Sequence, residues 1–265
     1  GQSGSKDGQE SVSSSQIPDY DGEMTIVLDN NEPDFDPDDL TEKSYESYSE
    51  LDEEGRCQAA EACVGKDIMP TEDRGAIGMV KPTGWHTVKY DNVDGKYLYN
   101  RCHLIAFQLT GENANRKNLI TGTRSFNVDG MLPYEEMVGD YVRETGNHVL
   151  YRVTPVFEGD DLVAKGVQME AMSVEDEGED IEFNVFVYNV QDGIEIDYET
   201  GESRLSSEKE DTTEASSKEE EIRGNRRSKV YHCPGQRDYE KMADSKNLVI
   251  FHSEKEAQAA GYRKA

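Results

Sequence analysis

The sequence predicts an α+β fold built on an antiparallel sheet, and three observations carry that expectation. Residues 148–157, 162–172 and 181–191 alternate apolar and polar side chains, and turn-forming or acidic stretches separate them, as in a meander of neighbouring strands. Residues 132–145 read as one helix: Pro133 is tolerated in its first turn, Gly146 stands just past its end, and Met137, Val138 and Tyr141 form an apolar stripe. Finally, the acidity is localised. The chain has 265 residues, 34% of them hydrophobic, and a net charge of -28, a balance that on average resembles disorder. Residues 1–54 carry 17 acids and 2 bases and residues 144–204 carry 16 and 3, whereas residues 55–143 carry 11 of each. A uniformly acidic surface repels a polyanion. The neutral stretch weakens that objection for one part of the chain only.

Composition divides the chain into a Gly/Ser/Gln-rich flexible leader (1–17), a main domain (18–204), a charged linker almost without apolar residues (205–229) and a small module (230–265). No apolar run approaches the ~20 residues of a membrane span. The opening Gly1-Gln2-Ser3-Gly4-Ser5 resembles the leader that follows a lipid-modified cysteine in bacterial lipoproteins, so membrane contact is expected only through an anchor outside these residues. Four cysteines stand at 57, 63, 102 and 233, without any C-x-x-C pair that would suggest zinc. Cys57 and Cys63 read either as a local disulfide or as two buried thiols.

In chain order, residues 25–28 form a short strand ended by Asn30-Asn31. The acidic run 34–39 lacks the glycine and the bidentate glutamate of a calcium loop, and reads as a turn in which Asp36 or Asp38 caps a helix from Leu40. The alanine-rich stretch 58–64 is expected to be helical, and 74–84 a loop. Residues 85–90 and 96–103 are read as two strands of a hairpin about Asp94-Gly95, followed by a connecting loop over 107–117. In the small module, 230–232 and 248–251 are strand candidates, and Ser253 with Glu256 forms a capping box for a last helix.

The chemistry concentrates between residues 99 and 135. Hydrolysing a phosphodiester requires a base for water, a cation for the developing charge, and donors for the phosphate. His103 suits the first role, since its ordinary pKa lies near neutrality. Asn127 offers a neutral oxygen to a hard cation, and Glu135, eight residues on, can bind the ion or its waters. Arg101 precedes His103 by two residues, so on a strand both face the same side, while Cys102 faces the other and reads as packing. Each of these residues alone is more ordinarily a structural one.

The ordered blocks Asn100-Arg101-Cys102-His103-Leu104-Ile105, Asn118-Leu119-Ile120-Thr121-Gly122-Thr123-Arg124, Phe126-Asn127 and Met131-Leu132-Pro133-Tyr134-Glu135 resemble the DNA/RNA non-specific endonuclease superfamily, in its streptococcal secreted DNase and pneumococcal surface nuclease branch. So do Gln168-Met169-Glu170-Ala171, Phe183-Asn184-Val185, Asn189-Val190-Gln191 and the segment from Ile196 to Glu202. The resemblance covers roughly residues 20–204 and implies a ββα-metal finger. It makes His103 the general base, Asn127 the ligand of magnesium (manganese a substitute), Arg101 the match for the arginine of the family's D-R-G-H signature, and Asn118 and Glu135 supports of the metal and its waters. Two departures, Asn100 for Asp and Cys102 for Gly, surround the base. Arg124 and Arg143 are candidates for binding phosphate. Residues 231–235, 238–241 and 257–263 resemble the metal-binding module of the bacterial DNA-repair protein Ada, with one cysteine left, and a degenerate docking module is expected. The resemblance thus implies an extracellular, secreted or surface-tethered endonuclease that cuts DNA to 5′-phosphate ends, with RNA left open as a second substrate and no protein partner inferred. The alternative is a catalytically silent extracellular DNA-binding protein on the same fold.

Overall fold

The computed structural model describes residues 16–206 and 221–265. The chain forms two compact units: the larger runs to Val88 and resumes from Leu98 to Arg204, and the smaller takes Lys89–Tyr97 and the chain from Leu205 to Ala265. Among the described residues no helix is long and apolar enough to cross a membrane.

The larger unit is built on a six-stranded antiparallel sheet in the order β1-β8-β7-β6-β3-β2, formed by β1 (Thr25–Val27), β2 (Tyr45–Tyr48), β3 (Ala60–Val64), β6 (Val149–Val156), β7 (Gly166–Ser173) and β8 (Glu182–Tyr188). The period-2 alternation sorts its two faces. One row across the sheet, Ala62–Tyr151–Ala171–Phe183, points into the main core. There it meets Cys102 and Leu104 of the region around β4 (Tyr99–His103) and Val138 and Val142 of α2 (Leu132–Thr145). The adjacent row, Glu61–Arg152–Glu170–Asn184, points the other way. This polar row is closed by residues 31–35. The Arg152 guanidinium donates to Glu170 at 3.0 Å and to the Asp34 carbonyl at 2.8 Å, and its centre lies 4.7 Å from the Phe35 ring centroid. The Asp34 amide donates to Glu170, and the Asn184 amide group to Glu32. Every buried polar group in this row therefore has a partner, as burial requires.

The meander and α2 match the expectation, α2 closing on Gly146 in the left-handed region at φ 73°. Other elements differ. The stretch 58–64 holds strand β3 and no helix: alanine's helix preference is a few tenths of a kcal/mol per residue, and it yields to pairing with both β2 and β6, where Ala60 and Ala62 are fully buried. Asp36 does cap, in a closed capping box with Asp39, but the element is one 3-10 turn, Pro37–Asp39, ended by an extended Leu40. Residues 85–90 contribute one bridge, Lys89 to Tyr97, and β4 pairs instead with β5 (Leu119–Thr123). The stretch 107–117 contains a short helix, α1 (Phe107–Thr110). The cysteines stand as thiols: Cys57 donates to the Arg116 and Leu119 carbonyls and Cys63 to that of Thr41, so no local disulfide forms between them. A short hairpin, β9 (Ile194–Ile196) with β10 (Ser203–Leu205), follows the meander.

In the smaller unit, β11 (Ile222–Asn225), β12 (Val230–His232), β13 (Leu248–Phe251) and β14 (Arg263–Lys264) form a sheet in the order β13-β11-β12-β14. Its core is Ile222, Tyr231, Phe251, Ala257 and Tyr262, with Ala257 on α3 (Glu254–Ala259), which Ser253 caps as expected. β11 lies inside the span read as a linker, because one buried isoleucine among charges leaves no compositional trace. The remainder of that span, 207–220, and the leader up to residue 15 lie outside the described residues.

Glu170→Ala leaves the Arg152 charge buried without its main partner. It is expected to cost about 3–5 kcal/mol, and Glu61→Ala clearly less, since Glu61 meets Arg152 at 3.4 Å and is more exposed. Denaturant unfolding of the two variants checks the order.

Candidate active site

β4 and β5 form an antiparallel pair in which Arg101 faces Thr121 and His103 faces Leu119. β5 leads into a π-helical stretch, Phe126–Met131, that continues as α2. Widened turns of this kind re-aim side chains and recur at functional sites, and this one carries Asn127. Strand, strand and helix surround a cleft of about 320 Å³ lined by Arg74, Arg101, His103, Phe107, Gln108, Arg124, Asn127 and Glu135, among others.

His103 is 5% exposed. Its Nε2 lies 2.8 Å from the carbonyl oxygen of Asn113, which can only accept, so Nε2 carries the proton. Nδ1 is then the basic nitrogen, and it accepts from Arg74 Nη2 at 3.3 Å. Burial holds the imidazole below its ordinary pKa; the Asn113 carbonyl opposes this, the Arg74 charge adds to it and Glu112 opposes it. Arg101 lines the cleft with His103, as same-face spacing requires, but two of its donors are committed: Nε to Val80 O at 2.5 Å and Nη2 to Gly78 O at 3.0 Å, with its centre 4.1 Å over the Trp85 ring. It therefore binds the loop that carries Arg74. Cys102 faces the core, and burial pushes its thiol far up, which suits packing and not nucleophilic chemistry.

Glu135 sits in the first turn of α2, buried at the wall of the cleft. Burial pushes its carboxyl up to about 8, against the pull of Arg74 and with a further push from Glu136. Among the described residues its carboxylate makes no hydrogen bond or ion pair. The buried Glu135 carboxyl and the Asn127 amide line the same cleft, and together offer oxygen donors suited to a hard cation that keeps most of its waters. No group of three His, Cys, Asp or Glu side chains that could hold a metal without such waters exists among the described residues. The residues present therefore fit a weakly protein-ligated, hydrated divalent ion.

Two sequence candidates do not line the cleft. Asn118 is fully buried, and its amide bonds both ways to Ile105: Oδ1 accepts from the Ile105 N–H at 2.8 Å and Nδ2 donates to its carbonyl at 3.0 Å. Its effect on the site passes through the backbone that follows His103. Arg143 lies on α2 outside the lining, donating to Gln108 and Asp140. Conversely, Arg74 and Gln108 belong to the cleft without having been singled out in the sequence, because neither stands at a telling spacing from His103.

The sequence profile of the DNA/RNA non-specific endonucleases matches residues 38–175. This chain belongs to the DNA/RNA non-specific endonuclease family. The family is one of nucleases, and the chain has a strand–strand–helix arrangement of the kind the resemblance implied, with His103 and Asn127 on it. A deoxyribonuclease of Streptococcus dysgalactiae subsp. equisimilis is 34% identical over 110 residues, 40% of this chain and 32% of the relative, so the match spans about a third of that protein. NucA of Streptococcus agalactiae superimposes with a TM-score of 0.61 in its magnesium-bound form, at 29% identity over 68% of this chain and 87% of its own. Its metal-free form gives 0.63, over 73% and 92%. The Sda1 nuclease with bound zinc gives 0.57 at 26% identity, over 69% of this endonuclease and 97% of Sda1. Residues 205–264 match the family described as ArfC, and nothing supports the Ada-type likeness of that module.

Because Glu135 holds its proton up to about 8 in the fold but only to about 4.5 when unfolded, folding binds a proton in that window and stability falls as pH rises through it, by at most about 1.4 kcal/mol per pH unit. Without divalent ions, Glu135→Gln is therefore expected to melt above the parent at pH 8, the gap closing toward pH 5. Thermal scans in EDTA at the two pH values test this.

Proposed function

We propose that this endonuclease cuts DNA, and RNA as well, outside the cell, with magnesium as its ion and 5′-phosphate ends as products. The observation that carries the reading is the tautomer of His103. With Nε2 committed to Asn113, the Nδ1 lone pair is directed to the side that holds Arg74, in a cleft shared with Asn127 and Glu135. The family relationship and the magnesium-bound NucA relative support the same choice of ion.

In this reading Arg74 moves from Nδ1 to a non-bridging phosphate oxygen when substrate enters, and Nδ1 takes up a water. His103 removes a proton from that water as its oxygen attacks phosphorus in line, and the bond from phosphorus to the 3′ oxygen breaks. Arg74 and Arg124 supply charged donors to the phosphate where negative charge builds. Asn127 would hold the magnesium and Glu135 would accept from its waters; the ion, when bound, offsets charge on the phosphate and the leaving oxygen. The extracellular setting rests on the tether-like composition of the leader.

His103→Ala is expected to lower plasmid cleavage by about 10²–10⁴-fold, EDTA to abolish it and magnesium to restore it, with products ligatable without a kinase. Robust cleavage by the alanine variant would remove His103 as the base. The neutral imidazole is the working form, and burial favours it. The acid limb of kcat/KM is therefore expected below the ordinary imidazole value of 6.5, and Arg74→Gln, which removes a charge that disfavours protonation, should move that limb upward.

A further inference from the structure

We propose that Gln108 is a substrate-binding residue, its side-chain amide nitrogen donating to a phosphate oxygen of the nucleic acid, and that Arg143 acts by positioning it. The inference rests on the endonuclease reading above and extends it to two residues outside the His–Asn motif. Gln108 lies on α1, five residues beyond His103, and lines the cleft with Arg74, Arg124 and Asn127. Arg143 reaches it from the last turn of α2: Nη2 meets Gln108 Oε1 at 3.1 Å. A guanidinium has only donors, so the atom facing it is the carbonyl oxygen, and the orientation of the amide follows from chemistry. The NH2 group is then turned away from Arg143. Among the described residues no acceptor takes its hydrogens. A pair of amide donors held in a cleft of arginines matches an anionic oxygen.

The helix makes room for this contact at a cost. Gly139 is buried in the middle of α2, where glycine disfavours a helix by about 1 kcal/mol relative to alanine. A Cβ there would lie 2.6 Å from Arg143 Nη2 and 3.0 Å from Gln108 Oε1. Without a side chain at 139, the guanidinium can lie across the helix and reach Gln108. Asp140 Oδ1, 3.1 Å away, accepts from the same nitrogen. Arg143 Nη2 is thereby engaged by two protein acceptors, one of them Gln108.

The test uses the full chain. In a His103→Ala background with magnesium, binding of a fluorescein-labelled DNA duplex is followed by anisotropy from low to moderate salt; kcat/KM is measured with His103 intact. Gln108→Ala is expected to weaken binding about tenfold, the loss of one hydrogen bond to a charged group, and to raise KM more than it lowers kcat, with the melting temperature unchanged. Arg143→Gln should weaken binding without changing the slope of log K against log salt, whereas Arg124→Gln should lower that slope by about one. Gly139→Ala gives the opposed pair of readouts: equal or higher thermal stability with lower affinity, since the added methyl pushes Arg143 off Gln108. Parent-like binding and KM in Gln108→Ala would overturn the inference, as would an Arg143→Gln slope change equal to that of Arg124→Gln or parent-like affinity in Gly139→Ala. If the unmutated chain neither binds nor cuts the duplex, the endonuclease reading itself fails, and that outcome is distinct from these.

Discussion

The bond from His103 Nε2 to the Asn113 carbonyl is the constraint on which the cleft depends. It decides which ring nitrogen is basic, and it does so with a main-chain group that cannot be mutated away. The same Asn113 donates through its side chain to the Ala76 carbonyl, so one residue ties the imidazole to the loop that presents Arg74. Arg101 grips that loop further along, at Gly78 and Val80. The imidazole, the arginine nearest to it and the strand beneath it thus belong to one hydrogen-bonded assembly. Asn118 completes it from below, by fixing the chain at Ile105. Geometry of this kind is what general-base chemistry requires, since a misplacement of an ångström is costly in rate.

Much of this was readable where a residue's role follows from local periodicity. The meander β6–β8 shows as alternation, and α2 shows through Pro133 and Gly146, because both depend on neighbours a few positions away. The pairing of Arg101 with His103 follows from strand geometry alone. What depended on distant partners was not readable. The alanines of β3 favour a helix locally and become strand only through β2 and β6, the latter some ninety residues on. Arg74 precedes His103 by 29 residues and Gln108 is held by a residue 35 positions later, so neither leaves a motif. Asn118 could be found as a polar residue in the right block, but spacing does not tell where an amide points. Its two hydrogen bonds do.

The charge pattern also takes on physical meaning. An acidic chain handles a polyanion by keeping the acids off the cleft: its lining holds three arginines and a single carboxyl, whose pKa burial raises. Elsewhere the acids serve as acceptors. Glu170 and Glu61 compensate Arg152 on the back of the sheet, and Asp36 and Asp39 close a turn on themselves.

That back face has a geometric consequence. Residues 31–35 cover the polar row of the sheet, and further along the same face Ile17 is buried against Val156, Phe186 and Tyr188, with the Tyr188 hydroxyl donating to the Pro18 carbonyl. These side chains project from the side of the sheet opposite the one that packs on β4 and α2. Ile17 and Pro18 are therefore anchored on one side of the sheet while the cleft opens among elements packed on the other, so the full thickness of the sheet separates the two.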